Sequence, residues 1–599
     1  MGGLLEFALK FKDSAVLAGP LFTREVLTAP RTTRHFVLRA GYVFALFVLM
    51  YTAGQATFGW RPASGVAELS RFGNLLFQMF SSIQLALVLF FAPLFAASRV
   101  AQEKDRQTLV LLLMTDLRSF ELVIGKLGAS LLAVAVLLAV AAPVMTFVYL
   151  LGGSSLAQIG WSLGLCAAAG LAAGSWGSMV AFWRDKTFQT LAISVLGLVL
   201  FLGVVEGGVA LLGASSAAGT WLSYLDPIRG MALILDPLAA SSSPAPARLS
   251  VWPFVVGMLL LSVVINAVAI LRLRIWNPNR TMNEQTRPAE DAAEATAPRN
   301  DATTRKSKDR AIWTNPVLWR EVCTRAYGRK MIFVKLAYVV LFVFAGMYSQ
   351  RGVDELVLGM ISPLGFAFVG LALVSLLLVN AQGVTAISNE RDAKTLELLL
   401  VTDLTAREFV FGKLGGVFYN SKELLLLPLG GLVWFTWLGY LSWENLTYVI
   451  VGFQVLALFS ATLGLHSGLT FENSRTAIAN SLGTMFFLFL GVFVCIMLIV
   501  EARASFAVQF PSFLVFFLGG SIGLWASLTH RNPSSALTAS AFMLPFMTFY
   551  CITSFLIGNT LGVCVVLVCV YGFTTLAMLV PATSGFELSL GRPSGDKGT

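Results

Sequence analysis

Charge is scarce in this chain. Asp, Glu, Lys and Arg make up 12% of its 599 residues against 57% hydrophobic, and the mean hydropathy is +0.78. That little polar surface cannot cover a soluble globule of this length, which excludes the usual water-soluble classes and leaves a bilayer as the solvent. Histidine is nearly missing: His35, His466 and His530 are scattered and no HExxH occurs, so a metal-dependent intramembrane protease has no ligand set. The six cysteines, Cys166, Cys323, Cys495, Cys551, Cys564 and Cys569, show no CxxC spacing. Most sit in apolar runs, where they act as small apolar residues, and neither a disulfide framework nor a zinc site is indicated. No GxxxxGK followed by Ser or Thr occurs, since Gly125-Lys126 and Gly412-Lys413 both precede Leu. Any ATP used with this chain is therefore hydrolysed on another polypeptide. The first 35 residues lack an apolar core and a small-residue cleavage site, so no removable signal peptide is expected.

Long apolar runs are what the chain does have. Crossing a bilayer as a helix takes about 20 apolar residues, because backbone groups in lipid must satisfy one another within the segment. Six runs qualify in the first half, near residues 36–58, 74–98, 129–151, 156–183, 187–213 and 251–276. Eight follow, near 331–348, 361–386, 424–441, 446–469, 476–500, 512–528, 537–557 and 561–580, giving an expectation of fourteen spans. With the amino terminus inside, the outer loops hold only Arg61, Arg71, Arg229, Arg248, Arg351 and Arg503 of the 42 Lys plus Arg. Cationic residues are retained on the cytoplasmic side, so both termini are expected there. The net charge of +10 then reflects topology and anionic lipid headgroups, and no basic-aromatic patch supports nucleic-acid binding. Trp60, Trp221, Trp252 and Trp443 fall near expected outer boundaries, as an aromatic belt would.

A polar stretch from Asn277 to Arg310, rich in Ala, Thr and charge, reads as a flexible cytoplasmic linker between a first unit, 1–276, and a second, 311–599. Six spans precede it, so the two units would lie parallel. The segment from Ala214 to Ser250 carries LDP twice and is expected to form short interfacial or re-entrant pieces. A smaller similarity, GLHSGLTFENSRTAIANS from Gly464 against GLWASLTHRNPSSALTAS from Gly523, suggests that one hairpin of the second unit was copied, which accounts for its extra spans.

The main repeat is polar. EKDRQTLVLLLMTDLRSFELVIGKLG, from Glu103 to Gly128, returns without a gap as ERDAKTLELLLVTDLTAREFVFGKLG, from Glu390 to Gly415, with 16 of 26 positions identical. Upstream, GPLFTREV (Gly19 to Val26) pairs with NPVLWREV (Asn315 to Val322). Loops ordinarily diverge faster than the helices they join, so a loop that resists drift more than its flanking spans points to the same work in both copies. The plain alternative is a solvated loop and a capped helix whose repetition records only duplication. Leucines on one face and charges on the other suit a helix lying on the inner surface against a soluble partner. Thr115 or Asp116, and Thr402 or Asp403, are expected to cap the next helix, with Glu121 and Glu408 in its first turns.

The pattern ExxxxTLxLLLxTxLxxxExxxGK with an upstream Arg-Glu pair resembles the permease domains of ABC-2 type ABC transporters, particularly the bacterial group associated with multicopper-enzyme maturation and gliding. The resemblance covers both polar segments and the six-span pattern of the first unit. It implies an all-α polytopic protein of the inner membrane with two parallel six-helix units, the second carrying an extra hairpin. It also implies an exporter driven by separate ATPase subunits, two per chain. Carried over by position, Glu103, Thr108, Thr115, Glu121, Gly125 and Lys126 form one coupling element, and Glu390, Thr395, Thr402, Glu408, Gly412 and Lys413 the other. Arg24 with Glu25, and Arg320 with Glu321, fall on connecting helices. The eight spans of the second unit depart from the family's six and put a symmetric pore in doubt.

Charged residues within spans are the remaining candidates. Glu206, late in the fifth span, is expected either to line a substrate path or to sit in a turn made by Gly207 and Gly208. Lys422 and Glu423 read as interfacial and His466 as a packing residue. An ion-coupled secondary transporter with Glu206 as proton carrier is the competing function, and a polytopic membrane enzyme a more distant one.

Overall fold

In the computed structural model, the described residues are 33–59, 61, 65–106, 108–115, 117–184, 186–213, 216–236, 250–277, 313–323, 331–349, 363–392, 395, 404–502, 506–530 and 534–589. Among them every regular element is an α-helix. The first set is α1 (Thr33–Phe58), α2 (Val66–Asp105), α3 (Thr108–Leu113), α4 (Ser119–Leu151), α5 (Leu156–Trp183), α6 (Thr187–Leu212), α7 (Ala217–Ser223), α8 (Pro227–Leu235) and α9 (Trp252–Trp276). The second is α10 (Pro316–Cys323), α11 (Met331–Ser349), α12 (Pro363–Asp392), α13 (Ala406–Asn420), α14 (Lys422–Trp437), α15 (Trp443–Thr470), α16 (Ser474–Ala502), α17 (Phe506–Leu528), α18 (Ser535–Leu556) and α19 (Thr560–Ser589). The linker beyond Asn277, and Trp60, lie outside the described residues.

Twelve of these helices are long and apolar enough to cross a membrane, and the protein is a multi-pass membrane protein. Against the expected fourteen spans, twelve full-length ones stand among the described residues. The apolar part of α11 is confined to Ile332–Met347, and the helix expected at 424–441 is the 16-residue α14. Its shortness has a local cause: the chain turns out of the helix at Ser421, whose buried hydroxyl is bonded to Gln382 of α12. In the first half the corresponding stretch, α4, runs unbroken for 33 residues.

Lipid tails are as apolar as leucine, so helices in a bilayer cohere through close packing and polar contacts rather than expulsion of water. Close packing recurs here at a constant spacing. Helix α5 packs along α2 and α9, and α15 packs along α12 and α19. At the tightest crossing, a methyl group on Gly177 would fall 2.3 Å from the carbonyl oxygen of Pro93, and one on Gly464 2.4 Å from that of Asn380. Residues 464 and 380 lie 287 positions after 177 and 93. The turns leading into α5 and α15 repeat at the same distance: Gly152 and Gly439 have φ of 91° and 84°, and Ser155 and Ser442 cap the helices by accepting from Gln158 N and Asn445 N. Polar contacts fill in between. Asn266 of α9 donates to Ser175 of α5 at 2.8 Å, and Asn380 of α12 bonds both Ser460 O and the Ser481 hydroxyl.

The two halves meet along two flanks and also between α2 and α16, where Phe90 stacks on Phe486 with ring centres 4.6 Å apart. On one flank, Phe188, Leu191 and Leu196 of α6 share a core with Val334, Tyr338 and Leu341 of α11 and with Leu371 and Leu378 of α12. On the other, α1 meets α16 and, more extensively, α17, with Leu46 and Leu49 in one core with Val494, Phe513, Phe517 and Phe549. Helices α17 and α18 stand between α16 and α19; the place between α6 and α9 is taken by the short α7 and α8, where short interfacial or re-entrant pieces were expected. Pro227 opens α8 at its first turn and Asp226 caps it, accepting from Ile228 N at 2.8 Å. Trp221, Trp252 and Trp443 are exposed near helix ends.

Candidate functional site

The polar repeat begins on the last turn of α2. Successive helical residues point about 100° apart, so three consecutive side chains reach three different neighbours. Glu103 pairs with Lys126 of α4. Lys104 donates to the carbonyls of Phe182 and Arg184, 2.5 and 3.0 Å away, where α5 ends and its last acceptors lack helical partners. Asp105 accepts from the hydroxyl of Thr187 at the start of α6, where the helix dipole favours negative charge. Thr108 closes the bend by donating to Glu103 O at 3.2 Å. The end of α2 is thus a three-pronged hub holding α4, α5 and α6.

A second hub stands at the end of α12. Glu390 pairs with Lys413 of α13 at 2.6 Å. Arg391 donates to the carbonyls of Leu469 and Phe471 at the end of α15, the first at 3.3 Å. Asp392 accepts from the hydroxyl of Ser474 at the start of α16, and Thr395 donates to Glu390 O at 3.1 Å. Residues 103, 104, 105, 126, 182, 184 and 187 each find a counterpart of the same role 287 positions later. Here α10 adds a layer: Glu321 pairs with Lys413 at 2.5 Å, and Arg320 with Glu390. The cluster is nearly dry, with the side chains of Lys413, Glu321 and Glu390 only 2%, 4% and 14% exposed. Gly412 is what lets α10 lie against α13, since a methyl there would meet Val317 Cβ at 2.9 Å.

The hubs touch. Arg106, which caps α2, reaches Asp392 with Nε and Nη2 each 3.4 Å from Oδ1, and Asp105 and Asp392 lie within electrostatic reach of each other. Arg106 corresponds to Ala393, so this bridge between the halves has no mirror image.

Several expectations are revised by this geometry. The caps fall downstream of Thr115: Glu121 accepts from Arg118 N at 3.1 Å, and Glu408 accepts from Thr405 N at 3.0 Å while Thr405 Oγ1 accepts from Glu408 N. Thr115 instead ends α3, its hydroxyl donating to Leu112 O at 2.6 Å. The backbone N–H and then the hydroxyl of Thr405 hold the Glu408 carboxyl below its ordinary range. The expected surface helix is the six residues of α3 in the first copy, with Leu109 buried and Leu111, Met114 and Phe120 exposed. Gly125 is buried within α4. Asp116, Thr402, Asp403, Arg24 and Glu25 lie outside the described residues.

Among the other candidates, Glu206 sits on an uninterrupted α6 and not in a turn. Both its oxygens are taken by Arg229 of α8, at 2.7 and 2.6 Å. Glu423 pairs with Lys335 of α11 at 2.6 Å, Lys422 lies over the Tyr419 ring, and buried His466 shares a 3.0 Å bond with Leu528 O. Sequence reasoning missed the roles of Lys104, Arg391, Thr187, Ser474 and Arg106. The first four were visible as a continued ungapped register, whereas the bridge to Asp392 left no trace. Among the described residues, no group of His, Cys, Asp and Glu could hold a metal ion. No protein-family model matches this chain, and no curated protein matches it.

Proposed function

We propose that this chain is the membrane permease of an ABC-2 type transporter, acting as an exporter and driven by ATPase subunits on separate polypeptides. In this reading, α1, α2, α4, α5, α6 and α9 form one six-helix unit. Helices α11, α12, α13 with α14, α15, α16 and α19 form a second unit parallel to it, and α17 with α18 is an inserted hairpin. Counting α11 and the broken α13–α14 as crossings gives fourteen spans, with both termini on the cytoplasmic side of a bacterial inner membrane.

One observation carries the reading: two three-pronged hubs, alike in partner type and in spacing, stand side by side at one end of the bundle. A push on either α2 or α12 there is delivered to three helices at once, and two equal levers suit two equal motors. Glu103, Lys126, Glu390, Lys413, Arg320 and Glu321 serve as struts behind the surface. Contact with the ATPase falls to exposed apolar residues at the same end, Leu111, Met114 and Phe120.

The test is co-expression with an ABC ATPase drawn from a neighbouring gene, and the lack of any such gene would count against the reading. Leu111→Asp combined with Met114→Asp should abolish both co-purification and stimulation of ATP hydrolysis while leaving the chain monodisperse. An ion-coupled carrier would keep its transport unchanged in that variant. A complex of two chains with four ATPases would overturn the proposed one-to-two assembly.

A further inference from the structure

Glu206, Asp226 and Arg229 bring two carboxylates to one guanidinium on the opposite side of the molecule from the hubs. Nineteen residues of α6 separate Glu206 from Thr187, about 28 Å at 1.5 Å per residue, which places the group near the far end of that span. Glu206 takes the guanidinium in two short bonds, whereas Asp226 Oδ2 stands 3.6 Å from Arg229 Nε. Asp226 is fully buried; Oδ1 caps α8, and Oδ2 has no hydrogen-bond partner. With all three groups ionised, the cluster carries one uncompensated negative charge, and although the Glu206 and Arg229 side chains are 48% and 33% exposed, that of Asp226 is wholly withdrawn from solvent.

We propose that this cluster is a proton-binding site, with the proton carried on Asp226 Oδ2 and donated to the Glu206 carboxylate. Binding turns the net charge of the cluster from −1 to zero and gives the orphaned oxygen a hydrogen-bond role. Glu206 on α6 and Arg229 on α8 are the charged groups that face Asp226. From the other elements packed against α8, α5 brings Gln158 and Ser162, α2 brings Ser81, and α9 brings Gly257 against the backbone of Tyr224. Burial, and after it the Glu206 carboxylate, pushes Asp226 up to about 7, so the site exchanges its proton near neutrality. The site is independent of how transport is powered.

The test is pH-difference infrared spectroscopy on the full chain in lipid nanodiscs, with proton uptake followed in parallel. The wild-type chain should show a protonated carboxyl band that disappears as pH rises through neutrality, with one proton released per chain. Asp226→Asn, which keeps the capping oxygen, should lose band and proton together. Glu206→Gln should shift the titration to lower pH, because the like charge is gone and Arg229 is free to pair with Asp226. An unchanged band in Asp226→Asn, or an unmoved titration in Glu206→Gln, overturns the assignment.

Discussion

Replacing Lys413 with Met tests whether the dry cluster behind the second hub is a strut. Lys413 is the cation for two carboxylates at 2.5 and 2.6 Å, and all three side chains are largely withdrawn from solvent. Removing one partner of a buried pair costs about 3–5 kcal/mol, most of it the burden of the charge left behind. Lys413→Met preserves volume but strips both Glu321 and Glu390, with Arg320 as the remaining cation, so the upper part of that range is expected. Lys126→Met is the internal control. Its side chain and that of Glu103 are 12% and 22% exposed and form one pair, so water offsets more of the loss and a cost below about 3 kcal/mol is expected. Stability would be read by denaturant titration of the detergent-solubilised chain, followed by tryptophan fluorescence. Adding Glu321→Gln to Lys413→Met should recover part of the loss, because the uncompensated charge is removed, and salt should leave the difference intact. A Lys413→Met cost under about 1 kcal/mol, or no recovery on adding Glu321→Gln, would refute the strut.

Arg106→Ala should cost about 1–3 kcal/mol, because the Arg106 side chain is 45% exposed but the Asp392 it leaves behind is only 3% exposed; no measurable cost in the same titration would contradict this. Gly177→Ala and Gly464→Ala should each destabilise by about 1–3 kcal/mol or more, because both new methyl groups run into a neighbouring backbone carbonyl. A large difference between the two in thermal unfolding would mean that the crossings are not equivalent. Glu408 has a depressed folded-state pKa, so its support of α13 is present above the ordinary glutamate range and lost as pH falls through the folded value. Amide exchange at the start of α13 should therefore quicken in acid after correction for intrinsic rates, and Thr405→Ala should reproduce that at neutral pH.

Helix existence was legible because composition alone demands apolar runs, and the repeat singled out Glu103, Lys126, Glu390 and Lys413, though as coupling residues and not as ion pairs. Three things were not. The cap moved from Thr115 to Arg118 because the Thr115 hydroxyl closes the preceding helix, and both uses of a threonine look the same in a string of letters. The third crossing of the second half breaks at Ser421 through a bond to Gln382, a residue 39 positions away on another helix. Charge periodicity suggested a surface helix, yet Glu103, Lys104 and Asp105 turn inward, because a long helix ending among the ends of three others finds unpaired carbonyls and N–H groups there. Charges that a hydropathy profile assigns to water are taken up by those ends.

The added pair of helices, α17 and α18, makes the protein's girdle uneven. On one flank α6 meets α11 and α12, while on the other α1 meets α16 and, more extensively, α17, which α18 backs. Matched hubs thus belong to halves whose two flanks are held by unlike sets of helices, so strain passed from one half to the other is shared unevenly between the two sides.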